Sequence, residues 1–293
     1  MMDKRLTIFT PTYNRAYILP QLYETLCQQQ CTDFVWLVVD DGSSDDTPSL
    51  LQEWQAEGKI SIRYYQQANG GKMRAHNYGA TLCDTLLFMC VDSDDYLASP
   101  TVVGDVLAFW DAHRELVERP DVCGLLTYRK MIPDAGGTLV DDLQLCTMGE
   151  VYARGFRGET APVFKAEVLR QYPFPVCDGE KFITEDVVFD QLSLHYQFLL
   201  FPYETQVCEY QQDGYTRNGW DVLYRNPKGY RLYYDQLVRN GRPNLIYHEQ
   251  MFIASSLLAA DGQTFSSSSR KWLTLFLFPL GLYQYFKLKR RKW

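Results

Sequence analysis

No Cys-x-x-Cys pair, GxxxxGK[ST] phosphate loop or GxGxxG turn occurs in the sequence. The eight cysteines, Cys27, Cys31, Cys83, Cys90, Cys123, Cys146, Cys177 and Cys208, are scattered among mostly apolar neighbours. That pattern fits reduced core thiols in a cytoplasmic protein. Lys72 follows Asn69-Gly70-Gly71 much as a phosphate-loop lysine would, but Met73 stands where that loop needs Ser or Thr. Histidine is scarce, and His76, His113, His195 and His248 show neither metal-ligand spacing nor a Ser/His/Asp or Cys/His signature. The first apolar run stops at Thr10-Pro11, too soon for a signal-peptide core, so nothing points to export. Internal repeats are absent, and the one low-complexity stretch is Ser266–Ser269, a linker-like run.

Acidic residues are missing from positions 270–293, which hold Arg270, Lys271, Lys287, Lys289, Arg290, Arg291 and Lys292. The whole chain carries −7, so the residues before 270 carry −14. A body of that sign argues against nucleic acid as a partner, because phosphate backbones are held by clustered Lys and Arg. A phosphorylated ligand would need a cation between itself and the protein. What is plentiful is apolar matter. Hydrophobic residues make up 46% and charged residues 22%, enough for a packed α/β core and too apolar for disorder. A length of 293 residues suits one globular unit with a tail.

Apolar runs and helical periodicities alternate through the first 120 residues. Strands are predicted at Leu6–Thr10, Phe34–Val39, Ile60–Tyr65 and Thr85–Val91. Helices are predicted from Ile18 to Leu26, from Thr47-Pro48 to Glu57, from Arg74 to Asp84 and from Ser99-Pro100 to Glu118. This alternation predicts a Rossmann-like, mostly parallel, doubly wound sheet. Beyond residue 120 the pattern loosens into short strands near 122–128 and 205–210 and helices near 164–171 and 185–196, a smaller mixed lobe built onto the first.

Ligands of open parallel sheets sit outside the carboxyl ends of the strands. Three polar clusters fall at such ends: Thr10-Pro11-Thr12-Tyr13-Asn14-Arg15, Asp40-Asp41-Gly42-Ser43 and Asp92-Ser93-Asp94-Asp95. Each alone is ordinary turn chemistry, but three on one sheet suggest a shared site. Asp92 and Asp94 would share one side of an extended segment with Asp95 adjacent, a donor set suited to Mg²⁺ or Mn²⁺ shared with substrate phosphates. Leu97 occupies the position at which an EF-hand loop needs Gly. Lys72, Arg74 and His76 lie in the loop and first turn before a helix, where an anion can meet amides and cationic side chains.

The runs TIFTPTYNR, VWLVVDDGSSDDT, NGGKMRAHNYGA and FMCVDSDDYL, in that order, resemble the inverting family 2 glycosyltransferases of the GT-A fold. The later segments YPFPVCDGEKFITEDVVFD and NPKGYRLYY are similar to a bacterial branch of surface-polysaccharide assembly. The resemblance implies an enzyme that transfers a sugar with inversion from a UDP-sugar to a hydroxyl of a glycan or lipid-linked acceptor, aided by a divalent cation, Mn²⁺ or Mg²⁺. It implies a nucleotide pocket lined by Thr10, Pro11, Tyr13 and Arg15, with Asp41 accepting from the uracil N3–H, Asp40 beside it and Lys72 near the base or phosphates. Asp92 and Asp94 would serve the ribose and the metal-bound diphosphate, with Asp95 sharing the metal duty. The catalytic base would be Asp186 or Glu185, with Thr184 capping their helix. Residues 1–100 would form the nucleotide-sugar half, 101–262 the acceptor and catalytic half, and 263–293 the tail. A nucleotidyltransferase on a related sheet and a non-catalytic UDP-sugar-binding protein are the alternatives. Trp220, Tyr215 and Arg217 are candidates for the acceptor side, against simple packing.

Trp272–Phe286 is apolar, flanked by basic residues and interrupted by Pro279 and Gly281. Fifteen residues are short of the roughly twenty that a span needs, so an interfacial segment on an anionic membrane surface is expected, with a packed core helix as the alternative. The expected location is cytoplasmic, peripheral on the inner face of the bacterial cell membrane.

Overall fold

Every residue of the strand Leu6–Thr12 (β1) is buried in the computed structural model, which describes residues 4–133, 138–209 and 219–290. The chain divides into two compact units, Met1–Pro173 with Phe189–Gln211, and Phe174–Val188 with Gln212–Trp293.

The first unit holds the sheet. β1 pairs in parallel with Phe34–Asp40 (β2) on one side and with Leu87–Cys90 (β4) on the other, and Ile62–Gln66 (β3) extends the parallel set beyond β2. Beyond β4 the sheet becomes mixed. Thr160–Lys165 (β8) runs antiparallel between β4 and Val122–Ile132 (β6), and Gln197–Glu209 (β9) lies parallel to β6. Asp95–Leu97 (β5) and Leu145–Cys146 (β7) both pair antiparallel with β9. The resulting order is β3-β2-β1-β4-β8-β6-β9-β5, so the chain leaves β1 first toward β2 and then returns to its other side. That reversal opens a crevice at the carboxyl ends of β1, β2 and β4.

Alternation along β1 assigns its two faces. Leu6 and Ile8 join a core with Leu19–Cys27 (α1), Thr47–Glu57 (α2) and Val102–Ala112 (α4), in which Tyr23 stacks on Trp54 at 4.2 Å and Trp36 lies 6.0 Å from Trp54. Phe9, on the opposite face, meets Lys72–Leu82 (α3) through His76. Gly79 is required there. A Cβ on it would stand 2.2 Å from the Phe9 ring, so α3 lies against β1 at a distance only glycine permits.

Several boundaries differ from the expectations. The helix predicted to run to Glu118 breaks at His113, and Arg114–Val117 (α5) follows as a separate turn. The helix predicted near 164–171 is shortened to Ala166–Leu169 (α7), because Phe164 and Lys165 end β8. Pro162 argued locally against a strand, but the β4 partners are Val163 to Lys165, so its missing N–H removes no bond to β4. The strands expected to be short near 122–128 and 205–210 are long, with eleven residues in β6 and thirteen in β9. Their near-continuous burial hides the alternation that marks a half-exposed strand. Met148–Ala153 (α6) begins with a capping box between Thr147 and Glu150.

The second unit is helical over Gly219–Arg225 (α9), Pro227–Arg239 (α10), Leu245–Ala259 (α11) and Lys271–Arg290 (α12). The Asn226 side chain accepts from the amides of Lys181 and Phe182, and Glu180 accepts from the amides of Lys228 and Gly229, which fastens residues 180–182 to the start of α10. Within the tail, α12 runs unbroken from Lys271 to Arg290 despite Pro279. Among the described residues no helix is long and apolar enough to cross a membrane.

Gly79→Ala should lower stability by about 1–3 kcal/mol through overpacking against Phe9. At an unhindered helix position the same change adds roughly 0.5–1 kcal/mol, so the sign is diagnostic. Urea unfolding measures it, and Phe9→Leu in the same chain should recover part of the loss.

Candidate functional site

All three polar clusters lie at the mouth of the crevice, and each is held by its neighbours. Thr10 is fully buried and its hydroxyl accepts from the Trp36 indole at 3.0 Å, so it braces the wall of the crevice from behind. Pro11 is likewise buried within β1. The segment after β1 and the segment after β2 grip one another. Asn14, in a left-handed conformation, donates its amide to Ser43 Oγ at 2.9 Å and accepts from the Ser44 amide at 2.8 Å. The Arg15 amide donates to Thr47 Oγ1 at 3.1 Å, which ties the loop after β1 to the start of α2. Tyr13 is exposed, and the Arg15 guanidinium donates to the Tyr17 hydroxyl at 2.6 Å.

Asp40 and Asp41 are buried carboxylates with saturated surroundings. Asp40 accepts from the Ser43 amide and hydroxyl through one oxygen and from Tyr64 and Gln66 through the other. Asp41 accepts from Gln67 and the Gly70 amide through Oδ1, and from Asn69 and the Gly71 amide through Oδ2, all between 2.7 and 3.0 Å. A carboxylate offers about four acceptor positions, so a base N–H arriving at Asp41 would have to share or displace a side-chain amide. The visible task of Asp41 is to fix the 67–71 loop, whose Gly71 has φ of 98°. That loop delivers Lys72 at the first turn of α3, where its ammonium meets Asp92 Oδ1 at 2.8 Å.

Asp92, Asp94 and Asp95 do not lie on an extended stretch, as expected, but on a turn closed by the Asp95 amide donating to the Asp92 carbonyl at 3.0 Å. The turn brings the three carboxylates together, and β5 starts at Asp95. Nothing near them in sequence marked the residue that balances them. Arg129, on β6, places Nη1 at 3.3 Å from Asp95 and 3.1 Å from Glu159, with Nη2 3.6 Å from Asp92. Glu159 immediately precedes β8, and its carbonyl accepts from the Arg129 amide at 2.9 Å. Long-range strand pairing therefore assembles half of this cluster, and only the fold makes Arg129 and Glu159 legible.

The three aspartates are electrostatically unequal. Burial works against charge on Asp92, but Lys72 and Arg129 outweigh it and hold its carboxyl below the usual range. Burial pushes Asp95 up, helped by Asp92 and Asp94 and only partly opposed by Arg129. Burial, then the neighbouring Asp92, raises Asp94. Among the described residues Asp94 has no ion pair, and the charges of Arg15 and Lys72 only partly oppose its shift. No group of three or more His, Cys, Asp or Glu side chains among the described residues is arranged to hold a metal ion. The donor set instead suits a hard divalent cation held by one unpaired carboxylate, Asp94, with the remaining positions filled by ligand phosphate oxygens and water.

Glu185 and Asp186 belong to the second unit, at the start of Asp186–Leu192 (α8). Asp186 is exposed and Glu185 half-buried. The hydroxyls of Thr184 and Tyr233 donate to Asp186 Oδ2 at 3.3 and 3.4 Å, so Thr184 orients the aspartate with its side chain. Trp220 is exposed on α9. Tyr215 and Arg217 lie outside the described residues.

The family described as Glycosyl transferase family 2 matches residues 7–133, which contain all three polar clusters and Arg129. Over 111 residues the chain is 28% identical to the poly(ribitol-phosphate) beta-N-acetylglucosaminyltransferase TarS of Staphylococcus aureus strain Mu50, covering 37% of this chain and 19% of that protein. The match thus spans about a fifth of the relative's length. The crystal structure of S. aureus TarS 1–349 in complex with UDP-GlcNAc superposes with a TM-score of 0.63 at 17% identity, covering 93% of this chain and 79% of the other. A mannosyltransferase from Pyrobaculum calidifontis in complex with GDP-Man and Mn²⁺ superposes with a TM-score of 0.56 at 16% identity, covering 96% and 87%. The fold is therefore that of GT-A glycosyltransferases. The signature clusters gathered at one crevice all lie within residues 7–133, the segment that matches the family described as Glycosyl transferase family 2.

Proposed function

We propose that this chain transfers a sugar, with inversion, from a UDP-sugar to a hydroxyl of a glycan or lipid-linked acceptor in bacterial surface-polysaccharide synthesis. The observation that carries the reading is the acidic turn at the mouth of the crevice, where Asp92 is already neutralised by Lys72 and Arg129 while Asp94 is left without a partner among the described residues. Such an arrangement calls for one more positive charge, which an anionic ligand carrying its own cation would bring. The UDP-GlcNAc held by TarS and the GDP-Man with Mn²⁺ held by the Pyrobaculum enzyme support a nucleotide-sugar donor and a divalent cation.

In this reading Tyr13 and Arg15 lie against the nucleotide, with Thr10 and Pro11 forming the buried wall behind them. Asp40 and Asp41 hold the loops that shape the pocket, and Asp41 through the 67–71 loop aims Lys72 toward the phosphates. With Lys72, Arg129 keeps Asp92 ionised, and it also holds Asp95 in place. Asp94, with Asp92 and Asp95 close by, would hold the cation, which would supply charge that stabilises the departing diphosphate. Asp186 accepts the proton of the acceptor hydroxyl. The acceptor oxygen forms its bond to the anomeric carbon as the bond from that carbon to the diphosphate breaks, which inverts the centre in one displacement. The Tyr233 and Thr184 hydroxyls support Asp186 as the base over its half-buried neighbour Glu185, because they fix one of its oxygens and so orient the other.

UDP affinity should depend on a divalent cation and be lost in Asp94→Ala. Calorimetry with Mn²⁺ should show a drop of more than about tenfold, roughly 1.4 kcal/mol or more, on adding EDTA or on making the substitution. Equal UDP affinity in EDTA and in Mn²⁺ would remove the cation from the account. Asp186→Asn should lower transfer by on the order of 100-fold with UDP affinity intact, as expected for a missing general base. Near-normal transfer by Asp186→Asn, together with that loss in Glu185→Gln, would pass the role to Glu185.

A further inference from the structure

Helix α12 has two opposite faces of different character. Thr274, Leu277, Gly281 and Leu288 are buried, and with successive residues about 100° apart they fall within one narrow arc. This face is packed on α11, where a Cβ on Gly281 would stand 2.5 Å from Ile253, and Leu277 and Leu288 join the apolar clusters around Phe252 and Met251. The opposite face carries Trp272, Leu275, Phe276, Leu280, Tyr283 and Phe286, all exposed and all within an arc of about 140°. Trp272 is 85% and Phe276 80% exposed. Six large apolar side chains aligned on one solvent face exceed the scatter of single apolar residues on ordinary surfaces.

The surroundings of this stripe identify what covers it. Arg270 and Lys271 stand exposed at one end and Lys287, Lys289 and Arg290 at the other, with no acidic residue between 270 and 290. Like charges at both ends disfavour a second copy of the same helix and favour an anionic surface. The helix is not long or apolar enough to cross a bilayer. Pro279 also lies on the exposed arc, and it withholds a helical donor from the Leu275 carbonyl, which suits a depth where water and headgroups remain within reach. Trp and Tyr on the stripe suit that same depth.

We infer that α12 is an interfacial membrane-binding helix, whose outer face lies among the headgroups of an anionic bilayer while its inner face stays packed on α11. The aromatic and leucine side chains insert, and the terminal Lys and Arg side chains reach the lipid phosphates with their stems lying along the apolar stripe. The anchor depends on no donor-side residue, so it stands or falls apart from the transfer reaction.

The test is sedimentation of the full chain with phosphatidylcholine vesicles, with and without about one third phosphatidylglycerol. Binding should occur to the anionic vesicles and weaken with salt. It should fall by at least about tenfold in the double variant Trp272→Ser, Phe276→Ser, while the thermal melt and UDP affinity stay as in the parent. Lys287→Glu with Arg290→Glu should weaken binding to the anionic vesicles selectively. Absence of binding by the full chain, or undiminished binding by the Ser variant, would overturn the inference. A dimer that the Ser variant converts to monomer, with no vesicle binding, would overturn it also and assign the face to self-association.

Discussion

Mutual repulsion among Asp92, Asp94 and Asp95 is the constraint around which this fold is organised. Three carboxylates within four residues, partly withdrawn from water, cannot all hold charge unless cations come to them. Two elements distant in sequence answer that demand. Lys72 arrives at the start of α3, where Asp41 fixes the preceding loop and Gly79 lets the helix rest on Phe9. Arg129 arrives on β6, whose register with β8 also brings Glu159. The network is asymmetric, since Asp92 pairs with both Lys72 and Arg129 while Asp94 has no ion pair among the described residues.

The donor half was legible because its information is local. β1, β2 and β4 are apolar runs that end in polar clusters, and the sheet order places those ends side by side. Parallel pairing with a reversal at β1 follows from the alternation of strands and helices, and the crevice follows from the reversal. What was not legible depends on long-range pairing. Arg129 sits in an ordinary stretch of sequence and gains meaning only when β6, β8 and the turn after β4 converge. β8 itself was concealed by Pro162 and by the helix-forming Ala166-Glu167-Val168-Leu169 that follows. The Asp92 to Asp95 segment was expected to be extended, but a backbone hydrogen bond folds it into a turn, and this turn gathers the carboxylates.

In the second unit the same division applies. An apolar tail with basic ends was visible in composition, but which side chains face outward was not. Pro279 and Gly281 suggested an interrupted segment. Instead Gly281 lies where α12 approaches Ile253 too closely for any side chain, and Pro279 is turned to the outside, so both residues are compatible with one helix. Position along the helix, rather than residue type alone, decides whether these two interrupt it. For Glu185 and Asp186, sequence placed both at a helix start, and the fold adds the hydroxyls of Thr184 and Tyr233 beside Asp186.

The central claim is that the crevice holds a nucleotide-sugar and breaks its bond to the diphosphate. Incubating the full chain with a panel of UDP- and GDP-sugars in Mn²⁺, and following nucleotide release by chromatography, tests it most directly. The account predicts release of UDP from at least one UDP-sugar and not from the GDP-sugars. Tight binding of every UDP-sugar with none of them cleaved would contradict it, since the site would then be a receptor and not an enzyme.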